Sequence, residues 1–254
     1  MKEKEDVQRV FSKKAEAYAA SSTHSSGSDL SLLTEWLNPQ STMNVIDIAT
    51  GGGHVAKQLS TVVNRVIATD ITKEMLENTA SHLSSFTNID YVIADAEQLP
   101  FLDHSFDIAT CRIAAHHFPN PVTFISEVHR VLKPNGKFLL IDNVAPEKAE
   151  FDDFYNTLEK MRDYSHVRSL KISEWKQFLR QHNLSIIDQQ VRKKTLPYKS
   201  WINRTMETKE GMDQVSNFII DAPEELQHYY HVKMNDGTIQ SFAIDEWMVL
   251  CTKK

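Results

Sequence analysis

Residues Asp47-Ile48-Ala49-Thr50-Gly51-Gly52-Gly53 decide the fold of this chain of 254 residues. They end an apolar run, Val45 to Ile48, and precede a segment with helical spacing that begins at His54. A glycine-rich turn between a strand and a helix is typical of doubly wound sheets, which bind ligands at the carboxyl ends of their strands. Gly51 and Gly53 allow positive φ angles and close approach of the backbone to a ligand. Because such turns also occur without a ligand, the stretch alone predicts only the fold.

The residues that follow repeat this strand and helix alternation. Five apolar runs without strict alternation are typical of parallel strands covered on both faces: Val45 to Ile48, Arg65 to Thr69, Ile89 to Ala94, Phe106 to Cys111 and Lys137 to Ile141. Helices are predicted between them: His54 to Ser60, Lys73 to Ser84 after a Thr72 cap, and Pro121 to Leu132 before the turn Lys133-Pro134-Asn135-Gly136.

The pattern changes after Asp142. Further helices are predicted at Lys148 to Tyr164 and Ser173 to His182, and further strands at Leu184 to Thr195, Thr238 to Ile244 and Glu246 to Thr252. We therefore expect a single α/β domain, residues 1–254, with a Rossmann-like seven-stranded mixed sheet, mainly parallel with the last strand antiparallel. Helices cover both faces, residues 198–232 form an inserted helical cap, and residues 1–37 form N-terminal helices, including Val7 to Ala20 and Asp29 to Leu37.

Composition excludes several classes of protein. Hydrophobic residues make up 41% and charged residues 24%, as in ordinary globular proteins. A formal net charge of -6 offers no general attraction to nucleic acid, so no nucleic-acid partner is expected. The two cysteines, Cys111 and Cys251, lie in apolar runs without zinc-site spacing, so buried thiols and no metal are predicted. The absence of a signal-like or membrane-spanning run predicts a cytoplasmic protein.

Two further acidic residues end predicted strands. Asp70 closes the second strand, where a carboxylate can accept hydrogen bonds from both hydroxyls of an adenosine ribose. Its alternative role is to cap the next helix, although Thr72 already fits that position. Asp95 closes the third strand within Val92-Ile93-Ala94-Asp95-Ala96-Glu97 and is followed by Leu99-Pro100-Phe101.

Three features occur in order along the chain: an acidic residue with a glycine loop, an acidic residue after the second strand, and an Asp-Ala pair before Leu-Pro-Phe. This ordered set resembles the pattern of the class I S-adenosylmethionine-dependent methyltransferases. The likeness is greatest to the small-molecule group that includes the ubiquinone and menaquinone C-methyltransferases. It spans about Phe11 to Asp142 and includes Leu132-Lys133-Pro134-Asn135-Gly136-Lys137 before the fifth strand. The chain departs from the family at Ala49, where the first glycine of the loop usually stands.

The resemblance implies S-adenosyl-L-methionine as cofactor and assigns roles to individual residues. The methionine moiety would be bordered by Asp47, Ala49, Gly51 and Gly53, and its carboxylate end by Arg112. The ribose would be contacted by Asp70 and Ile71. The adenine would be contacted by Asp95, Ala96 and Met75. Tyr18 would lie near the sulfonium on the helix that closes over the cofactor, or it anchors that helix to the core.

Residues for the acceptor are predicted from two clusters. His116 and His117 follow the fourth strand and are candidate general bases because histidine titrates near neutral pH. Their alternative roles are hydrogen bonding within the loop or, less consistent with adjacent side chains, metal binding. Asn143 and the cluster of Arg162, His166 and Arg168 are candidates for holding an oxygen-rich substrate, unless the cluster is a solvated helix end with internal ion pairs.

These features predict an enzyme that transfers a methyl group from S-adenosylmethionine to a carbon or oxygen nucleophile of a small-molecule acceptor, as a monomer or homodimer. Two alternatives stay open. An NAD-dependent oxidoreductase shares the glycine turn and the ribose acid but usually lacks the third acid, and a non-catalytic protein could bind the cofactor alone.

Overall fold

The computed structural model describes residues 2–12 and 28–254. The described helices are α1 (Lys2–Ser12), α2 (Ser28–Leu37), α3 (His54–Ser60), α4 (Lys73–His82), α5 (Pro121–Val131), α6 (Ala149–Arg162), α7 (Ile172–Gln181), α8 (Tyr198–Ile202), α9 (Lys209–Ile220) and α10 (Glu224–Tyr229). The strands are β1 (Asn44–Ile48), β2 (Arg65–Asp70), β3 (Ile89–Ile93), β4 (Phe106–Arg112), β5 (Leu132–Val144), β6 (Leu184–Pro197), β7 (Lys233–Asn235) and β8 (Thr238–Lys253).

The strands form one mixed sheet in the order β3-β2-β1-β4-β5-β8-β6. Strands β1 to β5 pair in parallel, whereas β8 lies antiparallel between β5 and β6. The predicted Rossmann-like mixed sheet with an antiparallel last strand is therefore confirmed. The sheet has one strand more than predicted, because the short β7 forms a hairpin with β8.

Neighbouring residues of the central strands face opposite sides of the sheet, and both sides are buried. On β1 and β5, Ile46 and Leu140 belong to one apolar cluster, with Phe124 of α5 and Trp175 of α7. Val45 of β1 belongs to the other cluster, with residues of α2 and α3. This double burial explains why the strands read as continuous apolar runs, and it leaves their carboxyl ends as the place where polar side chains gather.

Some predicted boundaries were wrong. Two strands were expected between Thr238 and Thr252, but β8 continues through Asp245, which pairs with Val144 on one side and Lys193 on the other. Pairing on both sides therefore overrides the polar interruption in the sequence. The predicted turn at Pro134-Asn135-Gly136 lies within the start of β5, where Asn135 has a φ of 63°. Helix α1 begins earlier than Val7, and residues 13–27 lie outside the described residues.

The segment after β6 contains helices α8, α9 and α10, and it has an apolar cluster of its own. Phe218 of α9 stacks on Phe154 of α6 with ring centroids 4.9 Å apart, and Trp201 of α8 packs edge to face on Phe242 of β8. The cluster fixes this segment beside the end of β5. Cys111 and Cys251 are free, buried thiols, as predicted. Within residues 2–12 and 28–254, no helix has the length and apolar character needed to cross a membrane.

Candidate functional site

The carboxyl ends of β1 to β4 border an open cavity with an empty volume of about 1050 Å³, which includes space open to solvent. Ten of the predicted site residues line it: Asp47, Ala49, Gly51, Asp70, Ile71, Met75, Asp95, Ala96, Arg112 and His117. We call this the first cavity. Its lining combines carboxylates, a guanidinium and apolar side chains, as expected for a ligand with both polar and apolar parts.

Asp70 ties the glycine turn to the end of β2. Its Oδ2 accepts a hydrogen bond from the Gly51 amide at 3.1 Å, and its Oδ1 accepts one from the Thr72 amide at 2.9 Å. Burial raises the pKa of Asp70, although these backbone donors oppose the shift. Thr72 stands at the N-cap position of α4, but its side chain makes no capping bond. Asp70 therefore shapes the turn and also lines the cavity.

The three positions of the glycine loop differ in what they require. Gly51 (φ 53°) lines the cavity, and an added Cβ there would lie 3.7 Å from Cε of Met75. Gly53 (φ 73°) does not line it, and a Cβ there would lie 2.4 Å from Cγ2 of Thr79, so glycine is needed for packing against α4. Ala49 has a φ of 55°, a left-handed conformation that costs free energy for any residue with a Cβ. This backbone strain explains why glycine is favoured at position 49.

Asp47 is a buried carboxyl at the floor of the first cavity. It accepts hydrogen bonds from the hydroxyls of Thr50 at 2.6 Å and Thr110 at 2.8 Å. Burial raises the pKa of Asp47 to about 6, against the opposing effect of these two hydroxyls and the charge of Arg112. A cation placed beside this carboxyl would therefore favour its ionised form.

Arg112 ends β4 and is held by a residue of α2. Its Nε donates to Oδ2 of Asp29 at 2.5 Å, and both side chains are buried. Nη2 of Arg192 lies 3.3 Å from the other oxygen of Asp29. Burial opposes ionisation of Asp29, but the bond and charge of Arg112 outweigh it and lower the pKa of Asp29. Arg112 thus presents a fixed guanidinium to a cavity that also contains Asp47.

Helix α1 lies over the first cavity and contacts the loops after strands β3, β2 and β4. Lys4 contacts Asp95 Oδ2 and Glu97 Oε2, each at 2.6 Å, in the loop after β3. Nε2 of Gln8 donates to the carbonyl of Ile71 at 2.9 Å, after β2. The ring of Phe11 packs edge to face on His117, after β4, with centroids 5.1 Å apart. Lys4, Val7 and Phe11 thereby become part of the cavity wall.

A second cavity, with an empty volume of about 550 Å³, shares Phe11, Ile113 and His117 with the first. Its lining includes His116, Asn143 and Arg162, three of the residues predicted for acceptor chemistry. Ile113 stands between the cavities with a φ of 54°, an outlier for a β-branched residue. Strained backbone of this kind is concentrated at functional sites.

The two histidines have different partners. Nδ1 of His116 lies 2.6 Å from Oδ1 of Asp142, and the His116 amide donates to Oδ2 of the same carboxylate at 2.9 Å. Burial lowers the pKa of His116, but the charge and hydrogen bond of Asp142 outweigh it, so the pKa is raised. Nδ1 of His117 donates to the Ser165 carbonyl at 3.0 Å, and burial together with the charge of His116 lowers the pKa of His117 to about 4.

The remaining predicted residues lie elsewhere. His166 is buried, with Nε2 3.0 Å from Oδ1 of Asn156, and it lines neither cavity. Arg168 also lies away from both cavities and binds Asp152 at 2.9 Å and Glu174 at 3.1 Å, which joins α6 to α7. Tyr18 lies outside the described residues. Among the described residues, no group of three or more histidine, cysteine, aspartate or glutamate side chains could hold a metal ion.

Three important residues were missed by the sequence reasoning: Lys4, Asp29 and Asp142. Asp142 follows Ile141 near the end of β5, so the rule that selected Asp70 and Asp95 could have found it. Lys4 and Asp29 carry no comparable signal, because their partners are distant in sequence, as in the pairs Lys4 with Asp95 and Asp29 with Arg112.

Comparisons with known proteins agree with this geometry. Residues 46–140 match the family model described as a methyltransferase domain. Over 247 residues the chain is 36% identical to the uncharacterized methyltransferase YcgJ of Bacillus subtilis, covering 96% of this chain and 98% of the relative. It is 32% identical to the ubiquinone/menaquinone biosynthesis C-methyltransferase UbiE of Rickettsia typhi, over 59% of this chain and 65% of that protein.

Solved structures show the same likeness. The crystal structure of YcgJ has a TM-score of 0.86 at 36% identity and covers 89% of this chain and 97% of that one. A structure from Bacillus halodurans has a TM-score of 0.87 at 40% identity and covers 89% and 99%. These matches favour the methyltransferase over the NAD-dependent oxidoreductase. With its strand order and its acidic strand ends, the chain therefore belongs to the class I S-adenosylmethionine-dependent methyltransferases.

Proposed function

We propose that the protein binds S-adenosyl-L-methionine in the first cavity and transfers its methyl group to a small-molecule acceptor bound in the second. The observation that carries this proposal is the shared wall of Phe11, Ile113 and His117 between a cavity lined by three strand-end acids and a cavity lined by histidines. In-line displacement requires donor and acceptor to approach from opposite sides of one carbon, and two adjoining cavities provide that arrangement.

The donor groups of the first cavity fit the proposed cofactor. Asp47 and Arg112 offer a carboxyl and a guanidinium for the amino and carboxylate groups of its methionine part. Asp70 would accept hydrogen bonds from the ribose hydroxyls and Asp95 from the adenine amine, with Met75 against the adenine ring. The cofactor would supply an electrophilic methyl group, so no nucleophile from the protein is required.

The second cavity favours an acceptor with a carbon or oxygen nucleophile. Such an acceptor loses a proton during methylation, and His116 and His117 are the titratable imidazoles that border the cavity. Asn143 and Arg162 would contact polar groups of the acceptor. Arg162 also binds Glu159 at 2.7 Å and lies 5.0 Å from the ring of Trp201, so its position is fixed by the protein.

Calorimetry tests the cofactor part of the proposal. We expect the purified protein to bind S-adenosylmethionine and S-adenosylhomocysteine but not NADH. Asp95→Asn should weaken binding about tenfold, because loss of a charge-assisted hydrogen bond costs about 1.5 kcal/mol. Asp90→Asn is the matched control, since Asp90 lies on β3, the strand that precedes Asp95, but its side chain is half-exposed and pairs with Arg65. Binding of NADH in place of S-adenosylmethionine would refute the proposal.

Transfer of a labelled methyl group tests the acceptor part. Phenols, enolisable ketones and amines should be offered separately with methyl-labelled cofactor, and we expect label in the first two classes. Label in amines alone would contradict the proposed carbon or oxygen nucleophile. Tight cofactor binding with no transfer to any class would instead support the non-catalytic alternative.

A further inference from the structure

The two histidines beside the second cavity are not equivalent, and the difference arises from the residue that holds each ring. Nδ1 of His116 is bonded to a carboxylate, Asp142, whereas Nδ1 of His117 is bonded to a backbone carbonyl, that of Ser165. Neither acceptor can donate a proton, so both rings carry hydrogen on Nδ1, and Nε2 is the basic nitrogen of each. His116 has a carboxylate bonded directly to its ring, whereas the negative charge of Asp163 acts on His117 only through space.

Asp142 is itself fixed in position. Its side chain is 2% exposed, and its oxygens accept hydrogen bonds from the amides of His116 at 2.9 Å and Asn143 at 2.8 Å, in addition to Nδ1 of His116. Because the carboxylate is held by backbone donors on β5 and on the loop after β4, the imidazole can adopt one orientation only. A buried carboxylate that orients an imidazole and stabilises its charged form is the arrangement by which histidine becomes an effective base.

The other charged and titratable groups around His116 favour the same assignment. Glu159 of α6 and Asp163, which directly follows that helix, add negative charge that raises the pKa of His116. His117 and His166 have ring centroids 4.4 Å and 5.6 Å from the His116 ring, and the pKa of each is lowered by burial and by the charge of His116. The three neighbouring imidazoles therefore share a single favourable position for a proton, which lies on His116.

We propose that Asp142 is a positioning residue that makes His116, and not His117, the proton acceptor of the methyl transfer. This inference rests on the proposed function. As the acceptor's oxygen or carbon forms its bond to the methyl carbon, the bond from sulfur to that carbon breaks and its electron pair stays on sulfur. The proton that leaves the acceptor passes to Nε2 of His116, and the imidazolium returns it to solvent after the products leave.

Nuclear magnetic resonance of protein labelled with ¹⁵N-histidine tests the role of Asp142. We expect His116 to titrate above pH 6.5 with hydrogen on Nδ1 in its neutral form, and Asp142→Asn to lower the pKa of His116. Asp163→Asn is the matched control, since Asp163 is bonded to Ser165 and acts on His116 only at a distance, so it should shift His116 less. Equal shifts in both variants, or hydrogen on Nε2, would overturn the proposal.

Acylation by diethyl pyrocarbonate tests the accessibility of Nε2 and requires only the wild-type protein. A His116 ring with a purely structural role would not react, whereas a proton acceptor open to the second cavity should be acylated at a rate that follows its own ionisation. Mass spectrometry identifies the modified residue, and absence of label on His116 would contradict the assignment even if Asp142→Asn does not fold. Calorimetry with S-adenosylhomocysteine on the same samples separates failure of this inference from failure of the proposed function.

Discussion

The carboxylate of Asp29 holds the guanidinium of Arg112, and this ion pair joins α2 to the end of β4 at the edge of the first cavity. Both side chains are almost fully buried, so neither charge can be compensated by solvent if the other is removed. The position of a residue that faces the proposed cofactor thus depends on a helix outside the sheet.

Asp29→Asn should lower the free energy of unfolding by about 3 kcal/mol, because it leaves a buried guanidinium without its counter-charge. It should also weaken binding of S-adenosylhomocysteine, since Arg112 loses its fixed orientation. Urea unfolding and calorimetry measure the two effects. Glu35→Gln, an exposed change on the same helix, should alter neither by more than about 0.5 kcal/mol. Equal effects of both variants would contradict the role assigned to this ion pair.

Ala49→Gly should stabilise the protein by about 1 kcal/mol, because glycine adopts the left-handed conformation at φ 55° without strain. Most replacements of alanine by glycine lower the free energy of unfolding, so an increase would indicate backbone strain at position 49. Ala80→Gly in α4 serves as the control and should destabilise by about 1 kcal/mol. Thermal unfolding of the two variants beside the wild type provides the comparison, and a lower melting temperature for Ala49→Gly would show that the strain is absent.

The affinity for S-adenosylhomocysteine should decrease as the pH falls below about 6. Burial raises the pKa of Asp47 to about 6 in the free protein, and the ammonium group of the ligand favours the ionised carboxyl. Binding at low pH must therefore expel a proton, so the dissociation constant should rise by up to about tenfold per pH unit below that pKa. Calorimetry from pH 5 to 7.5 measures this dependence. Asp47→Asn should bind more weakly at neutral pH but with no such dependence, and a wild-type affinity that is constant over the range would refute the role of Asp47.

His117→Asn should make the protein more tolerant of acid. Because the pKa of His117 is lowered to about 4 in the folded state, the unfolded chain binds more protons between about pH 6.5 and pH 4. The free energy of unfolding contributed by this residue consequently falls as the pH decreases through that window. Asparagine can still donate to the Ser165 carbonyl but does not titrate. Urea unfolding at pH 7 and pH 5 should show that the free energy of unfolding decreases less for the variant than for the wild type.

His116 supplies the control for that experiment, because its shift has the opposite sign. Because the pKa of His116 is raised in the folded state, protonation of this ring stabilises the folded protein below about pH 6.5. That stabilisation is lost as the pH rises through the pKa of His116 in the folded protein. His116→Asn should therefore increase the loss of stability between pH 7 and pH 5. The same change in both variants would show that the two rings share one environment, against the geometry described above.

The fold and the first cavity were predictable because both depend on a local rule. Parallel strands buried on both faces read as apolar runs, and polar residues that follow them must gather at one edge. Asp47, Asp70 and Asp95 could therefore be placed in one cavity without knowledge of any contact. The left-handed conformation of Ala49 also agrees with the family's preference for glycine at that position.

The acceptor residues were less predictable because they depend on where the chain turns after α6. That helix ends at Arg162, which lines the second cavity. The residues after it return to the backbone of His116, whose carbonyl accepts hydrogen bonds from the amides of Val167 and Arg168. This path directs the Arg168 side chain toward Asp152 and away from the cavity. Neither spacing nor composition encodes that direction, so residues close in sequence were separated by the fold.

Phe11 belongs to the wall of both cavities, so helix α1 forms a physical link between them. Because the Phe11 ring also contacts His117, a ligand in the first cavity that shifts helix α1 would change the shape of the second cavity as well. If the first cavity holds the methyl donor, the acceptor should bind more tightly to protein that already contains the donor. We therefore expect an ordered kinetic mechanism in which the methyl donor binds first, and product-inhibition patterns would test it.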